Sequence, residues 1–364
     1  MLDILRRWRD EVGDTHALGA ARVALGLLLF ANALRAAREL KVGYFGDFFH
    51  WSILPDALVP NRNVYAMLVI GQVLLSAFVV AGHRARGALF LSAVTGLYVL
   101  LCDRLQFHNN RAALFFYSLV LSFSPCDRAF SVTPLVPTAT GPLWAARLAQ
   151  FQLSFIYVAS GGSKLLDGDW RSGRVLLERF VLFGPNAIAN GVPESVVKWV
   201  VHPDVASALA KIAIATELGL AVALWSRRAR ILALWWGVWF HLTIEISSQV
   251  ESFTWLTLAL YALFATPDLR ARKLYFDPFR WRSRWIARGV AWLDWLGRFE
   301  VKAWAPDNLR KGHSLIIVRR DGTLATGLSA LTMLTRCIPV LFPLWAPFAL
   351  AASFTRRGDV GART

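Results

Sequence analysis

Eight stretches of this chain are apolar at close to the length of a bilayer's hydrocarbon core, which removes most folds from consideration. They run over residues 17–36, 64–82, 87–103, 111–125, 142–160, 205–225, 229–246 and 252–267. A helix needs ~17–25 such residues to cross ~30 Å of lipid tails, so the sequence predicts an α-helical polytopic membrane bundle of about eight spans. The stretches at 111–125 and 252–267 are short, which leaves seven or nine spans open. Composition agrees: 56% of residues are hydrophobic and 18% charged, against ~45–50% and ~25% in soluble domains. No cleavable signal peptide is expected, because the first run has spanning length and follows a mixed-charge segment, 1–16.

The net charge of +16 would suggest nucleic acid only on a water-soluble domain. Here the basic residues flank apolar runs, so no nucleic-acid partner is expected. Three cysteines, Cys102, Cys126 and Cys337, with no C-x-x-C, exclude a disulfide scaffold and a four-ligand zinc site, and no metal is expected.

Short basic loops stay cytoplasmic. Arg227, Arg228 and Arg230 mark one such loop, and the following loop, 247–251, has no Lys or Arg. Counting outward puts Arg84, Arg86 and both termini inside, in the cell (inner) membrane of a multi-pass protein. Residues 108–111 and 161–170 then lie together outside. From Asp268 onward, 17 Lys and Arg stand against 7 Asp and Glu, so the tail is a basic segment suited to anionic lipid and to a docked protein partner.

That tail, 268–364, reads as a separate cytoplasmic domain behind the spanning domain at 17–267. Lys273–Asp277 reads as a strand, a basic Trp-rich helix follows to about Leu296, and Ser314–Val318 with Thr323–Thr326 reads as a hairpin about Asp321-Gly322. A second helix starts near Leu328. The order predicts a small C-terminal α/β layer of thioredoxin type.

The runs Leu274-Tyr-Phe-Asp277, Leu293-Asp-Trp-Leu-Gly-Arg-Phe-Glu300 and Val318-Arg-Arg-Asp-Gly322 resemble the DCC family of thioredoxin-like proteins, named for D-x-x-C-x-x-C. Asp277 matches its Asp, while Arg280 and Ser283 occupy both cysteine positions. Thiol-disulfide chemistry therefore has no nucleophile here. Cys337, a lone thiol in an apolar helix, reads either as a packed small hydrophobe or as a redox centre.

The spanning region is similar to the HTTM family of vitamin K-dependent carboxylase-like domains. The match rests on Phe107-His-Asn-Asn-Arg111, on Tyr157-Val-Ala-Ser-Gly-Gly-Ser-Lys164 followed by Asp169-Trp170, and on Phe240-His241. The resemblance implies a reduced quinone as cofactor, Lys164 as the base that deprotonates it, and His241 as a second catalytic residue. His108, Asn109, Asn110, Arg111, Asp169 and Trp170 would then bind substrate. Arg111 stands where the family's Asn-Asn-His motif has its histidine. Read from the residues alone, His108–Asn110 either bond a quinone oxygen or cap a span, and Lys164 is either a desolvated base or an anchor reaching the headgroups.

Arg22, Glu217, His241 and Glu245 lie inside spans, where an ionisable group costs ~2.5–3.5 kcal/mol. The i, i+4 spacing of His241 and Glu245 allows a carboxylate–imidazole pair, and Arg22 is positioned to neutralise Glu217. Two function classes follow. One is a quinone-linked enzyme with an outward-facing site; the other is a non-catalytic membrane scaffold or maturation factor with a docking tail.

Overall fold

The computed structural model describes residues 2–42, 51–104, 107–132, 139–189, 191–248, 252–265, 272–294, 297–303, 315–319 and 322–359. It divides into two units, one built from residues 1–230 and 240–266, the other from 231–239 and 267–364.

The first unit runs α1 (Leu2–Asp10), β1 (Val12–Asp14), α2 (His16–Val42), α3 (Arg62–Ala81), α4 (Ala85–Leu101), α5 (Asn109–Ser122), β2 (Thr140–Pro142) and α6 (Trp144–Leu166). It continues through α7 (Gly168–Ser172), α8 (Arg174–Ala189), α9 (Glu194–Val200) and α10 (Pro203–Ala223) to α11 (Arg230–Ser248) and α12 (Phe253–Tyr261). Each of the eight apolar runs overlaps a helix among the described residues, and the α2, α3 and α10 helices contain segments both long and apolar enough to cross a membrane. The chain is a membrane protein; the apolar runs form helices because lipid offers the backbone no partner outside its own ladder. Between α6 and α10 the chain forms the short helices α7 to α9.

Local chemistry sets the helix ends. Asn61 accepts from the Val64 amide at 3.0 Å at the start of α3, and Gly82 ends it at φ +79°. Gly82 also admits a neighbour: a Cβ there would lie 2.0 Å from an Arg22 nitrogen. Several connecting segments meet at this end of the bundle. β1 pairs antiparallel with β2, Arg86 donates to the Ser122 carbonyl at 3.2 Å, and Trp8 stacks on Trp225 with centroids 5.6 Å apart. Arg147 grips the Glu11 carboxylate through two nitrogens, at 2.8 and 2.5 Å.

In the second unit, β3 (Arg272–Phe276), α13 (Trp281–Leu293), β4 (Phe299–Ala303), β5 (Leu315–Val318) and β6 (Leu324–Thr326) precede α14 (Gly327–Cys337) and α15 (Trp345–Asp359). The sheet order is β4-β3-β5-β6. β3 is parallel to β4 and antiparallel to β5, which is antiparallel to β6. Leu274, Val290, Ile317, Ala330 and Leu334 fill its core. Indoles Trp235 and Trp239 both donate to the Pro343 carbonyl, at 2.7 and 3.1 Å. The expected hairpin is β5–β6, although Ser314 and Asp321 themselves lie outside the described residues. The Trp-rich helix stops at Leu293 rather than near Leu296; residues 295 and 296 are outside the described set.

Candidate functional site

One face of α6 carries Tyr157, Gly161 and Lys164, spaced so that they stack within two turns. Gly161 sets the approach of α10. A Cβ there would sit 2.9 Å from Leu218 Cγ and 3.2 Å from Glu217 Cβ, so a bare backbone lets the helices close. Across that contact Lys164 Nζ donates to Glu217 Oε1, and also to Ser160 Oγ at 2.9 Å. The side chains are only 18% and 8% exposed, so the pair is desolvated and each charge depends on the other.

Immediately after α6, the Asp167 carboxylate caps α7, accepting from the Asp169 amide at 2.8 Å. The cap turns the chain so that the Trp170 ring lies 4.9 Å from Lys164 Nζ, a cation–π distance. Asp169 is instead directed to Arg174, 3.5 Å away on the exposed side.

Two turns earlier on α6, the Tyr157 hydroxyl lies 2.6 Å from His241 Nε2 and 2.6 Å from the Tyr261 hydroxyl. This buried triad joins α6, α11 and α12. Thr254 adds a bond to the His241 carbonyl at 3.2 Å. Tyr157 and Lys164 lie two turns apart on one face of α6, so the triad and the ion pair form one polar seam along that helix. Among the described residues, Glu217 Oε2 and His241 Nδ1 are buried with no hydrogen-bond partner.

Two expected pairings are corrected. Arg22 does not neutralise Glu217. Its guanidinium instead donates to Phe130 O at 2.6 Å, Ala129 O at 3.4 Å and Ser131 Oγ at 3.0 Å. Those carbonyls lie in the turns after α5, outside any helix ladder, and a five-donor fork meets several acceptors at once. His241 does not pair with Glu245 either. Its Nε2 is taken by Tyr157, and Glu245 Oε2 is buried without a partner. Shared helix face allowed that pair, but a phenol on the facing helix competes successfully because it reaches the imidazole without carrying a charge into lipid.

His108 is the N-cap of α5, its Nδ1 accepting from the Asn110 amide at 3.3 Å, with Asn109 and Asn110 in the first turn. Arg111 lines a different cavity, with Asn32, Tyr65, Gln72, Asp103 and Phe115. That space of about 50 Å³ is far below the ~300 Å³ at which ligand pockets begin. The sequence reading of the spans passed over Ser160 and Tyr261 and used Tyr157 only within a motif. The available signal was that a phenol in an apolar span must find a partner.

In the tail, Ser283 Oγ donates to the Asp277 carbonyl at 2.6 Å, while Asp277 Oδ1 accepts from the Phe279 amide at 2.9 Å. The hydroxyl at the second cysteine position thus ties down the turn before α13. Cys337 is buried, and no cluster of three or more His, Cys, Asp or Glu able to hold a metal occurs among the described residues.

Residues 11–269 match the family model for the HTTM domain. No curated protein matches the chain, and no solved structure matches it.

Proposed function

The chain belongs to the HTTM domain family, and from that membership we propose that it is a carboxylase-like membrane enzyme. It acts on a reduced quinone at the seam between α6 and α10. The observation that carries this reading is the part-buried Lys164 ammonium, held by Glu217 and Ser160 beneath the Trp170 ring. Two orphaned buried atoms, Glu217 Oε2 and His241 Nδ1, suit a flat ligand with hydroxyls at its edge. When bound, a reduced quinone supplies an acidic ring hydroxyl and two reducing electrons.

The protein's own part is proton management. Passing one proton from Lys164 Nζ to Glu217 Oε1 discharges both groups and leaves a neutral amine in a low-dielectric site. That amine accepts a substrate proton, and the ammonium so formed stays beside the anion it has created. Tyr157 and Tyr261 fix the His241 ring, and Trp170 covers the amine from water. In this reading the chain crosses the membrane eight times, with both termini cytoplasmic and Lys164 outside. The tail is of the thioredoxin type found in the DCC family, a reading supported by its parallel β3–β4 pair and antiparallel β5–β6 hairpin.

A second reading, a scaffold or maturation factor with a docking tail, is favoured by Ser283, whose hydroxyl serves the turn and not a redox step. The experiment compares the parent with Lys164→Ala and Lys164→Met for folded yield and for oxidation of a reduced menaquinone across pH. Parent turnover lost in folded variants supports the enzyme. Variants that keep the parent's rate and pH profile reduce Lys164 to a helix fastener, and a parent without turnover leaves the scaffold reading.

A further inference from the structure

The α13 helix shows two apolar faces where a soluble domain would show one. At 100° per residue, Trp281, Trp285, Arg288 and Trp292 fall within an arc of about 60°. Ser283, Ala287 and Val290 lie on the opposite side and are buried. The inner face is therefore satisfied, and the stripe facing away from it consists of indoles 61%, 65% and 74% exposed in the intact chain. Three large aromatics aligned on an exposed face cost solubility and rarely occur in a solvated helix by chance.

Charge decides what covers them. The helix has three arginines, Arg282, Arg284 and Arg288, and no acidic residue. Arg288 lies within the indole arc, and Arg284 and Arg282 flank it on either side. An indole stripe edged by guanidinium groups matches the boundary between headgroups and acyl chains: the rings take the boundary and the cations meet lipid phosphates. The helix follows the last apolar run by a short stretch of sequence, so a bilayer is always within its reach. We propose that α13 is an interfacial helix that lays Trp281, Trp285 and Trp292 into an anionic leaflet of the membrane the chain itself spans, independently of any chemistry at Lys164.

The test uses the full-length protein in proteoliposomes of phosphatidylcholine with or without phosphatidylglycerol. The native cysteines are buried, so a bimane probe can be placed at Trp285→Cys and, for reference, at Lys302→Cys on the exposed edge of β4. A shallow doxyl lipid should quench the probe at 285 strongly in the anionic vesicles and weakly in the neutral ones, and should leave the probe at 302 unchanged in both. Replacing Arg282, Arg284 and Arg288 together by Glu should lower quenching at 285 to the reference level without altering elution of the folded protein. Quenching at 285 no greater than at 302, or equal in both lipid mixtures, overturns the proposal. So does a probe shielded from water yet untouched by the lipid quencher, which would mean that a protein covers the stripe.

Discussion

His241 Nε2 and the Tyr157 hydroxyl lie 2.6 Å apart between α11 and α6, and the same hydroxyl reaches Tyr261 on α12. Tyr157 is thus the shared member of the triad. Tyr157→Phe strands two buried groups and should cost about 1–3 kcal/mol, whereas Tyr261→Phe leaves the Tyr157–His241 bond intact and should cost less. Thermal unfolding in detergent, followed by size-exclusion fluorescence, gives the order; a larger loss for Tyr261→Phe would contradict it.

The Lys164–Glu217 pair should be sharply non-additive. Removing one charge strands the other in a desolvated place, a loss of about 3–5 kcal/mol for Lys164→Met or Glu217→Leu alone. The double variant should recover most of that stability while remaining inactive. A double-mutant cycle with purely additive losses would show that the two side chains do not depend on each other.

Neighbouring glycines on α6 should respond in opposite directions. Gly161→Ala drives a methyl into Leu218 and Glu217, loosening the α6–α10 seam and lowering both stability and any turnover that needs Lys164. Gly162 has open space where a Cβ would go, so Gly162→Ala should stabilise by about 0.5–1 kcal/mol. Unfolding midpoints of the two variants compared with the parent suffice to check this.

Arg147 holds the Glu11 carboxyl below its ordinary value, chiefly through their hydrogen bond. A folded-state value below the unfolded one means that this stabilisation is complete above the ordinary carboxyl range and is lost as pH falls through the lowered value. Because Glu11 is partly exposed, screening keeps the effect under about 1 kcal/mol. Stability of Glu11→Gln relative to the parent should be constant above pH ~5 and converge on the parent in more acidic solution; a gap that widens with acid has the wrong sign.

With Arg280 and Ser283 at the cysteine positions, the full-length protein should not reduce insulin with dithiothreitol as electron source. Turnover that disappears in Cys337→Ser would reveal a working thiol. Labelling from outside should reach a cysteine placed at Gly168 and miss one placed at Ser226; the reverse pattern would invert the proposed orientation.

Period and composition were enough to find eight apolar helices of the bundle, though not α8, and, in the tail, β3, α13 and the hairpin, because burial in an apolar layer or a sheet leaves a repeating mark. The partners of charged groups were less legible. Glu217 offered two cations, Arg22 and Lys164, and only the close packing at Gly161 selects the second. His241 had a carboxylate on its own helix face, yet the phenol of Tyr157 belongs to a helix 84 positions earlier in the chain. β4 was missed although Phe299–Ala303 alternates apolar and charged residues as a half-buried edge strand does; at five residues the pattern is too short to stand out. The contact of Lys164 with Trp170 was not read from the sequence, although Asp167 at the N-cap of the helix that carries Trp170 was a local sign of the turn.

Arg22 carries a consequence for how this protein is made. Its guanidinium is fully buried against carbonyls of residues 129 and 130, which the ribosome has not yet polymerised when α2 leaves the exit tunnel. Until they arrive, α2 bears a cation without its hydrogen-bond acceptors, a cost of ~2.5–3.5 kcal/mol in lipid that favours keeping α2 beside the insertion machinery while the next three helices are made. A nascent chain halted while residues 129 and 130 are still inside the exit tunnel should therefore remain beside the translocon, and one long enough to expose residue 132 should move into the bilayer.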